Sequence, residues 1–291
     1  WCYFRKKQCH DSMRGPELDF STASLCPETK MIRTLITAIL LLNLTGCSWA
    51  YARFTYEFVP LTNNSQVVYE PGAEDLAKRV DANFAASVRW VQKQQYAPFK
   101  DANAIRVYVF NDRTRYANFS HASVLTRASS TTDEVYMSEK LREKIDTLPS
   151  ILTHELSHVH IRQYTGTFKY ITDIPSWFLE GLAVSASLGA GAENVTSEQA
   201  KAAIRKGLRF EPDDSGSLFG SKSARSYGLE PHMYYRQASI FVEYLNTTNP
   251  QAFEAALQDM LNGNKFGDIW IKHYGQSISD LWHGFKNDIG A

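Results

Sequence analysis

The sequence predicts an α+β fold, in which a small N-terminal mixed sheet with one long helix is followed by a mostly helical C-terminal half. Segments of strand type lie before Leu141, and segments with apolar residues at helical spacing follow it. The composition fits a globular domain, with 44% hydrophobic and 21% charged residues. The 31 basic and 31 acidic side chains cancel, which argues against nucleic acid as a partner because phosphate binding needs an excess of positive charge.

The predicted elements follow in order along the chain. Alternating or β-branched segments bounded by turn residues predict strands over 51–60, 105–110 and 134–138, with a turn at 63–65 and a loop at 129–133. Leu76, Val80, Phe84, Val88 and Val91 recur at helical spacing and predict a long helix over 71–96. The same periodicity predicts helices over 149–163, 175–188, 197–206, 231–247, 250–262 and 277–288.

The N-terminal region contains one apolar run, with a basic residue before it and a cysteine after it. An apolar run over 34–44 follows Met31 and Arg33, and it is shorter than the roughly 20 residues that span a bilayer. It ends in Leu-Thr-Gly-Cys at Cys47, which resembles the lipobox, in which the cysteine carries lipid. The alternative is a buried apolar helix followed by an ordinary cysteine.

This interpretation sets the expected organisation of the chain. Residues 1–30 would lie upstream of the true start, 31–46 would form the signal peptide, and 47–62 would form the anchor, linker and first strand. Because Ser48 follows Cys47, the resemblance implies a protein anchored at the periplasmic face of the outer membrane. All four cysteines lie at or before Cys47, which excludes a disulfide framework and cysteine catalysis in the rest of the chain.

The chemistry centres on His154-Glu155-Leu156-Ser157-His158, an H-E-x-x-H motif. On a helix the two histidines lie only about 40° apart, so both imidazoles can reach one metal ion. Glu155 stands beside that ion, and Leu152, Leu156 and Val159 form an apolar stripe on the opposite face. The alternative is an exposed polar face without a metal.

A catalytic zinc site needs a third protein ligand and an open position. The segment Ile174-Pro-Ser-Trp-Phe-Leu-Glu-Gly-Leu-Ala183 offers Glu180 on a second helix, which Pro175 begins and in which Gly181 permits close approach of a neighbouring helix. The alternative is that Glu180 is a surface carboxylate on an amphipathic helix.

The two motifs HELSH and PSWFLEGLA together resemble the peptidase MA-like gluzincins, which are thermolysin-type zinc metallopeptidase domains. The resemblance extends from about Ala104 to the C-terminus. It implies a zincin-like fold, zinc bound by His154, His158 and Glu180, and Glu155 as the general base. Thermolysin has an acidic residue four positions after the third ligand, where this chain has Val184, so we expect another group, such as Asp173, to orient a histidine.

Further residues are expected around this centre. Related gluzincins use a Tyr or His as oxyanion donor, and Tyr235 is the candidate, with His232 and Arg236 as alternatives and simple packing as the other explanation. The strand at 135–137 is expected either to pair with an extended substrate or to be an ordinary edge strand. We expect His160 to be a polar surface residue.

The sequence therefore predicts a zinc metallopeptidase domain over 63–291, anchored to the membrane through lipid on Cys47. Glu155 would act as general base on zinc-bound water, and the substrate would be a peptide or protein. One alternative is a zinc-binding scaffold without catalysis, against which the intact Glu155 argues. Another is a zinc amidase for a non-protein amide such as a cell-wall bond.

Overall fold

The computed structural model describes residues 49–214 and 222–291. The predicted signal peptide and the candidate lipidation site Cys47 lie outside these residues. Within the described part of the chain, no helix combines the length and apolar character that crossing a bilayer requires.

A five-stranded mixed sheet has the order β1-β2-β3-β5-β4. Its strands are β1 (Val59–Leu61), β2 (Asn64–Tyr69), β3 (Arg106–Val109), β4 (Ala128–Ser130) and β5 (Glu134–Met137). The three central strands, β2, β3 and β5, run parallel, whereas β1 and β4 pair antiparallel at the two edges. This arrangement confirms the predicted small mixed sheet.

The α-helices cover the sheet and then form a separate helical layer. They are α1 (residues 49–55), α2 (Glu74–Gln94), α3 (Arg113–Ser120), α4 (Leu148–Thr172), α5 (Ser176–Ala186), α6 (Ser197–Arg205), α7 (Pro231–Thr248), α8 (Pro250–Leu261), α9 (Phe266–Tyr274) and α10 (Ile278–Asp288). The long helix α2 and six of the later helices lie where periodicity predicts them. The described chain is thus an α+β fold, as predicted.

Side-chain alternation divides the core between the two faces of the sheet. Val135 of β5 faces a buried cluster with α2 and α4, and its neighbour Tyr136 faces a second cluster with Phe119 of α3 and Ala52 of α1. A third cluster joins α5 to the C-terminal helices through buried aromatic side chains such as Trp177 and Phe241. Helix α4 contributes to both the first and the third cluster, so it lies between the sheet and the helical layer.

The predicted strand over 51–60 is wrong in its first half, where residues 49–55 are helical. Ala52 is fully buried, whereas Tyr51 and Phe54 are exposed, so the alternation of aromatic and polar residues belongs to a helix with a small buried side chain. Arg53 of this helix forms an ion pair with Glu134 of β5 at 2.7 Å. This contact between distant segments favours the helix over the strand that the local pattern suggests.

Several short elements were not predicted: β2, β4, α3 and α9. Helix α3 buries only Tyr116 and Phe119, which is too few for an apolar stripe. It begins at Asp112, whose carboxylate accepts hydrogen bonds from the amides of Thr114 and Arg115 at 2.8 Å. Strand β4 overlaps the first two residues of the predicted loop at 129–133 and contains only three residues.

Candidate metal centre

The motif helix α4 presents its two faces to different surroundings. Leu152, Leu156 and Val159 are fully buried in the cluster under the sheet, as the apolar stripe predicts. His154 and His158 face a cavity of about 430 Å³ on the other side of the helix, and both are buried. Packing of the apolar face therefore fixes the direction of the two imidazoles.

The structure brings His154, His158 and Glu180 together. One ligand atom from each lies within 4.8 Å of the others, and this is the one group of at least three such side chains found among the described residues. The Nε2 atoms of the two histidines are 3.2 Å apart, and Glu180 Oε2 and Oε1 lie 3.5 Å from His154 Nε2 and 3.8 Å from His158 Nε2. Two ligands that each lie about 2.0–2.1 Å from a tetrahedral ion are about 3.3 Å apart, so the three side chains can hold a metal ion.

The Nδ1 atom of each histidine, which points away from the three converging ligand atoms, contacts a group that orients its ring. His154 Nδ1 lies 3.0 Å from the carbonyl oxygen of Ala190, which can only accept, so Nδ1 carries a proton and, in the neutral ring, the lone pair is on Nε2. His158 Nδ1 lies 2.9 Å from the hydroxyl of Tyr170. Such contacts orient the rings that bind metals. The suggested role of Asp173 is wrong, because Ala190 and Tyr170 occupy the Nδ1 atoms of the two histidines, and the Asp173 carboxylate accepts a hydrogen bond from Thr172 Oγ1 at 2.5 Å.

A break in α4 brings Tyr170 back to His158. In an uninterrupted helix twelve residues span about 18 Å along the axis, so the two side chains would be far apart. Gly166 adopts φ 73° and ψ 158°, a region that is open almost only to glycine. The chain therefore changes direction there, and Tyr170 returns to the motif although the helix was predicted to end at residue 163.

Helix α5 places Glu180 through a close contact with α7. A Cβ atom on Gly181 would lie 2.8 Å from the backbone carbon and oxygen of Ala238, so only glycine allows this approach. The prediction that Gly181 lets a neighbouring helix lie close is confirmed. Val184, one turn later, is fully buried.

A second glycine makes room for His154. Gly191 has φ +85°, and a Cβ atom there would lie 3.2 Å from His154 Cε1. The segment that includes Ala190 and Gly191 thus supplies both the carbonyl that holds the ring and the space for it. A backbone carbonyl leaves no side-chain signal in the sequence, so Ala190 could not be predicted.

Glu155 lies beside the three ligand residues in the same cavity. Its Oε2 accepts a hydrogen bond from Ser130 Oγ at 2.8 Å. Burial raises the pKa of Glu155, and the neighbouring His154 and Ser130 partly oppose this effect. Ser130 belongs to β4, which the sequence did not predict, so this partner of Glu155 was missed.

Charge in the centre suits a cationic ligand. Burial lowers the pKa of His158 to about 3, which keeps this imidazole neutral. Although burial acts in the opposite direction, the Glu180 carboxylate holds the pKa of His154 above its usual value, and the two imidazoles hold the pKa of Glu180 below its usual value. His158 and Glu180 are thus in the states that bind metals, whereas a metal ion at His154 would have to displace the proton that Glu180 favours on this ring.

The candidate oxyanion donors differ in position. Tyr235 lines the cavity, and the Glu180 carboxylate, together with burial, raises its pKa, so the hydroxyl stays protonated. His232 also lines the cavity, and its Nδ1 accepts a hydrogen bond from the amide of Asn194 at 3.4 Å. Arg236 donates instead to the carbonyls of Val195 and Ala192, at 2.9 and 3.3 Å.

Two other expectations are wrong. Strand β5 pairs with β3 and β4 on its two sides, so residues 135–137 do not form an edge, and the edge strand beside the cavity is β4. His160 is fully buried rather than exposed. Its Nε2 lies 3.0 Å from the carbonyl of Ala97, and burial lowers its pKa to about 4.

Comparison with known proteins gives a distant structural likeness but no match in sequence. No protein-family model and no curated protein sequence matches this chain. The structure of yeast LTA4 hydrolase in complex with bestatin aligns with 77% of this chain, at 12% identity and a TM-score of 0.44. The aligned region spans 35% of that protein's chain, so the site geometry, rather than this likeness, bears on function.

Proposed function

We propose that this protein is a zinc-dependent hydrolase of peptide bonds with a zincin-like domain over residues 63–291. One observation carries the proposal: the ligand atoms of His154, His158 and Glu180 converge within 4.8 Å in a cavity that Glu155 also lines. Two histidines and one carboxylate form a typical ligand set of catalytic zinc.

The residues around the metal centre have separate roles in the proposed reaction. When bound, zinc polarises the scissile carbonyl and lowers the pKa of water. Glu155 accepts the proton of the attacking water and returns it to the leaving amine. The hydrogen bond from Ser130 Oγ to Oε2 fixes the orientation of this carboxylate. The Tyr235 hydroxyl donates a hydrogen bond to the developing oxyanion.

The edge strand β4 favours a peptide as substrate. Ala128, Ser129 and Ser130 line the cavity, and in the described sheet β4 has a neighbour on one side only, β5. An extended peptide can add to such an edge through backbone hydrogen bonds. The peptide bond would then lie beside Glu155 and the three ligand residues.

The contact between Glu155 and Ser130 favours hydrolysis over a scaffolding role. A site that only binds metal has no use for an oriented carboxylate that is not a ligand. Membrane attachment through Cys47, at the periplasmic face of the outer membrane, is part of the proposal and rests on the sequence pattern alone.

The proposal is tested by cleavage of a peptide library by the full chain and by its Glu155→Gln variant, with zinc content measured on both. We expect the wild type to cleave and the variant to lose about 10²–10⁴-fold in rate while it keeps its zinc. A Glu143→Gln variant, whose exposed carboxylate pairs with Arg113, is the control. Full activity in Glu155→Gln would refute the mechanism, and cleavage of cell-wall fragments but no peptide would favour a non-protein amide.

A further inference from the structure

We propose that Arg162 is a positioning residue that orients both the candidate base Glu155 and the candidate ligand His158. The inference rests on the proposed function, which it extends to a residue that no motif indicates. Arg162 is half-buried on α4, one turn beyond His158, and it lines the cavity.

One set of contacts leads from Arg162 to Glu155. Its Nη1 donates to the carbonyl oxygen of Ser130 at 2.9 Å and lies 3.2 Å from Ser130 Oγ. Because Ser130 Oγ accepts from the guanidinium, its own proton is directed away from Arg162. Glu155 Oε2 receives that proton at 2.8 Å. Arg162 thereby fixes the serine rotamer that holds one carboxylate oxygen.

A second contact leads from Arg162 to His158. The guanidinium carbon lies 4.0 Å from the centre of the Tyr170 ring, which is the geometry of a cation–π contact. The hydroxyl of the same ring lies 2.9 Å from His158 Nδ1. Arg162 therefore holds the ring whose hydroxyl orients the imidazole.

The chemistry of arginine suits both contacts at once. A guanidinium is flat, so it can stack on an aromatic face while its edge donates to oxygen atoms in the same plane, and an ammonium cannot do both. Among the described residues Arg162 has no carboxylate partner within ion-pair distance, which separates it from the surface arginines that pair with acidic residues. Its contacts are directed to the partners of Glu155 and His158 instead.

A purely structural role is the competing explanation, since the bond to the Ser130 carbonyl also ties β4 to α4. The two roles predict different kinetics. A structural tie changes stability and substrate binding, whereas a positioning residue changes kcat and zinc affinity with KM kept. Each of the two contacts can also be tested alone. Ser130→Ala removes the connection to Glu155, and Tyr170→Phe removes the hydrogen bond to His158.

The experiment uses the full chain with zinc and compares Arg162→Met, Arg162→Lys, Ser130→Ala and Tyr170→Phe with the control Arg142→Met. Arg142 pairs with Asp75 on α2 at 2.7 Å and does not line the cavity. We measure kcat and KM on a cleaved peptide, zinc affinity by chelator competition, and amide hydrogen exchange over residues 128–130. The exchange measurement needs neither zinc nor substrate.

We expect Arg162→Met to lower kcat and zinc affinity by about 10–100-fold each, with KM within about twofold. Arg162→Lys should not restore either. Ser130→Ala should lower kcat alone and Tyr170→Phe zinc affinity alone, and neither should add fully to Arg162→Met. Amide hydrogen exchange over residues 128–130 should be faster in Arg162→Met, with or without zinc.

Values of kcat and zinc affinity in Arg162→Met equal to those in Arg142→Met would overturn the inference, as would full additivity with both single variants. If the wild type neither binds zinc nor cleaves peptides, the proposed function fails. The inference is then decided on the metal-free protein by the imidazole NMR signals of His158, which a tie between β4 and α4 alone would leave unchanged. Signals in Arg162→Met that shift as they do in Tyr170→Phe support the inference, and signals or exchange rates equal to those of Arg142→Met overturn it.

Discussion

The hydroxyl of Tyr170 lies 2.9 Å from Nδ1 of His158, although twelve residues separate the two in the chain. Gly166 makes this contact possible, because its φ of 73° and ψ of 158° end the regular helix between them. A backbone conformation four residues before Tyr170 thus determines how one candidate metal ligand is oriented.

Gly166→Ala is expected to weaken zinc binding without touching a ligand. No atom lies within 4 Å of a Cβ placed at Gly166, so the effect comes from backbone strain of about 1–3 kcal/mol. Gly207→Ala is a matched control, since Gly207 also has a positive φ, +82°, and open space around it. Zinc affinity measured by chelator competition should fall in Gly166→Ala alone, and equal affinities in the two variants would contradict this view.

Glu180→Ala is expected to reduce zinc affinity by about 10-fold or more, because even the loss of a group that only orients a ligand costs 10–100-fold. Glu180→Gln should behave in nearly the same way. Asp173→Ala is the control, since its carboxylate contacts Thr172 rather than a histidine. Unchanged affinity and stoichiometry in Glu180→Ala would remove it from the ligand set.

Buried His160 predicts a loss of stability in acid. Its pKa is lowered to about 4, against about 6.5 in an unfolded chain. Below pH 6.5 the unfolded state therefore binds a proton that the folded state does not. The free energy of unfolding falls by about 1.4 kcal/mol per pH unit as pH decreases from 6.5 toward 4, and the contribution of His160 is complete only above that window.

Urea unfolding of the metal-free protein between pH 7.5 and 4.5 checks this dependence. His160→Asn should reduce the slope by about one proton, and the exposed His283→Asn is the control. The metal is removed because a bound ion would add its own pH dependence through its ligands. Metal-free His158, whose pKa is also lowered, contributes equally to the wild type and to both variants. An identical slope in His160→Asn and the wild type would contradict the prediction.

Cys47→Ala is expected to abolish lipid attachment. The lipobox ends at this cysteine, so the variant should remain an uncleaved precursor when it is expressed in a Gram-negative bacterium. Labelling with an acyl analogue measures the modification, with Cys26→Ala as the control. Labelling that persists in Cys47→Ala would disprove the lipoprotein interpretation.

The sequence predicts those parts of the fold that depend on local periodicity. The apolar stripes of α2, α4 and α7 are long enough to define each helix by themselves. Strands β1 and β4 have only three residues each and therefore no pattern of their own, and β2 is paired with β3, which lies far away in the chain. The helix at 49–55 was missed for a related reason, because it depends on packing of Ala52 against α3 and β5.

The candidate site likewise contains some residues that local sequence predicts and others that it does not. The spacing of His154, Glu155 and His158 and the acidic residue on the next helix are local signals, and the structure brings these side chains into one cavity. Their partners were not predictable. Ser130 meets Glu155 through packing of β4 on α4, and Tyr170 meets His158 through the direction of the chain after Gly166.

Zinc-dependent peptide cleavage tests the central claim most directly. The full chain is stripped of metal with a chelator, and cleavage of a peptide library is measured before and after addition of one equivalent of zinc. We expect no cleavage without metal and full recovery at one equivalent, since two imidazoles and one carboxylate form a single site. Cleavage that persists in the stripped protein, or a restored protein that binds one zinc and cleaves no peptide, would contradict the account.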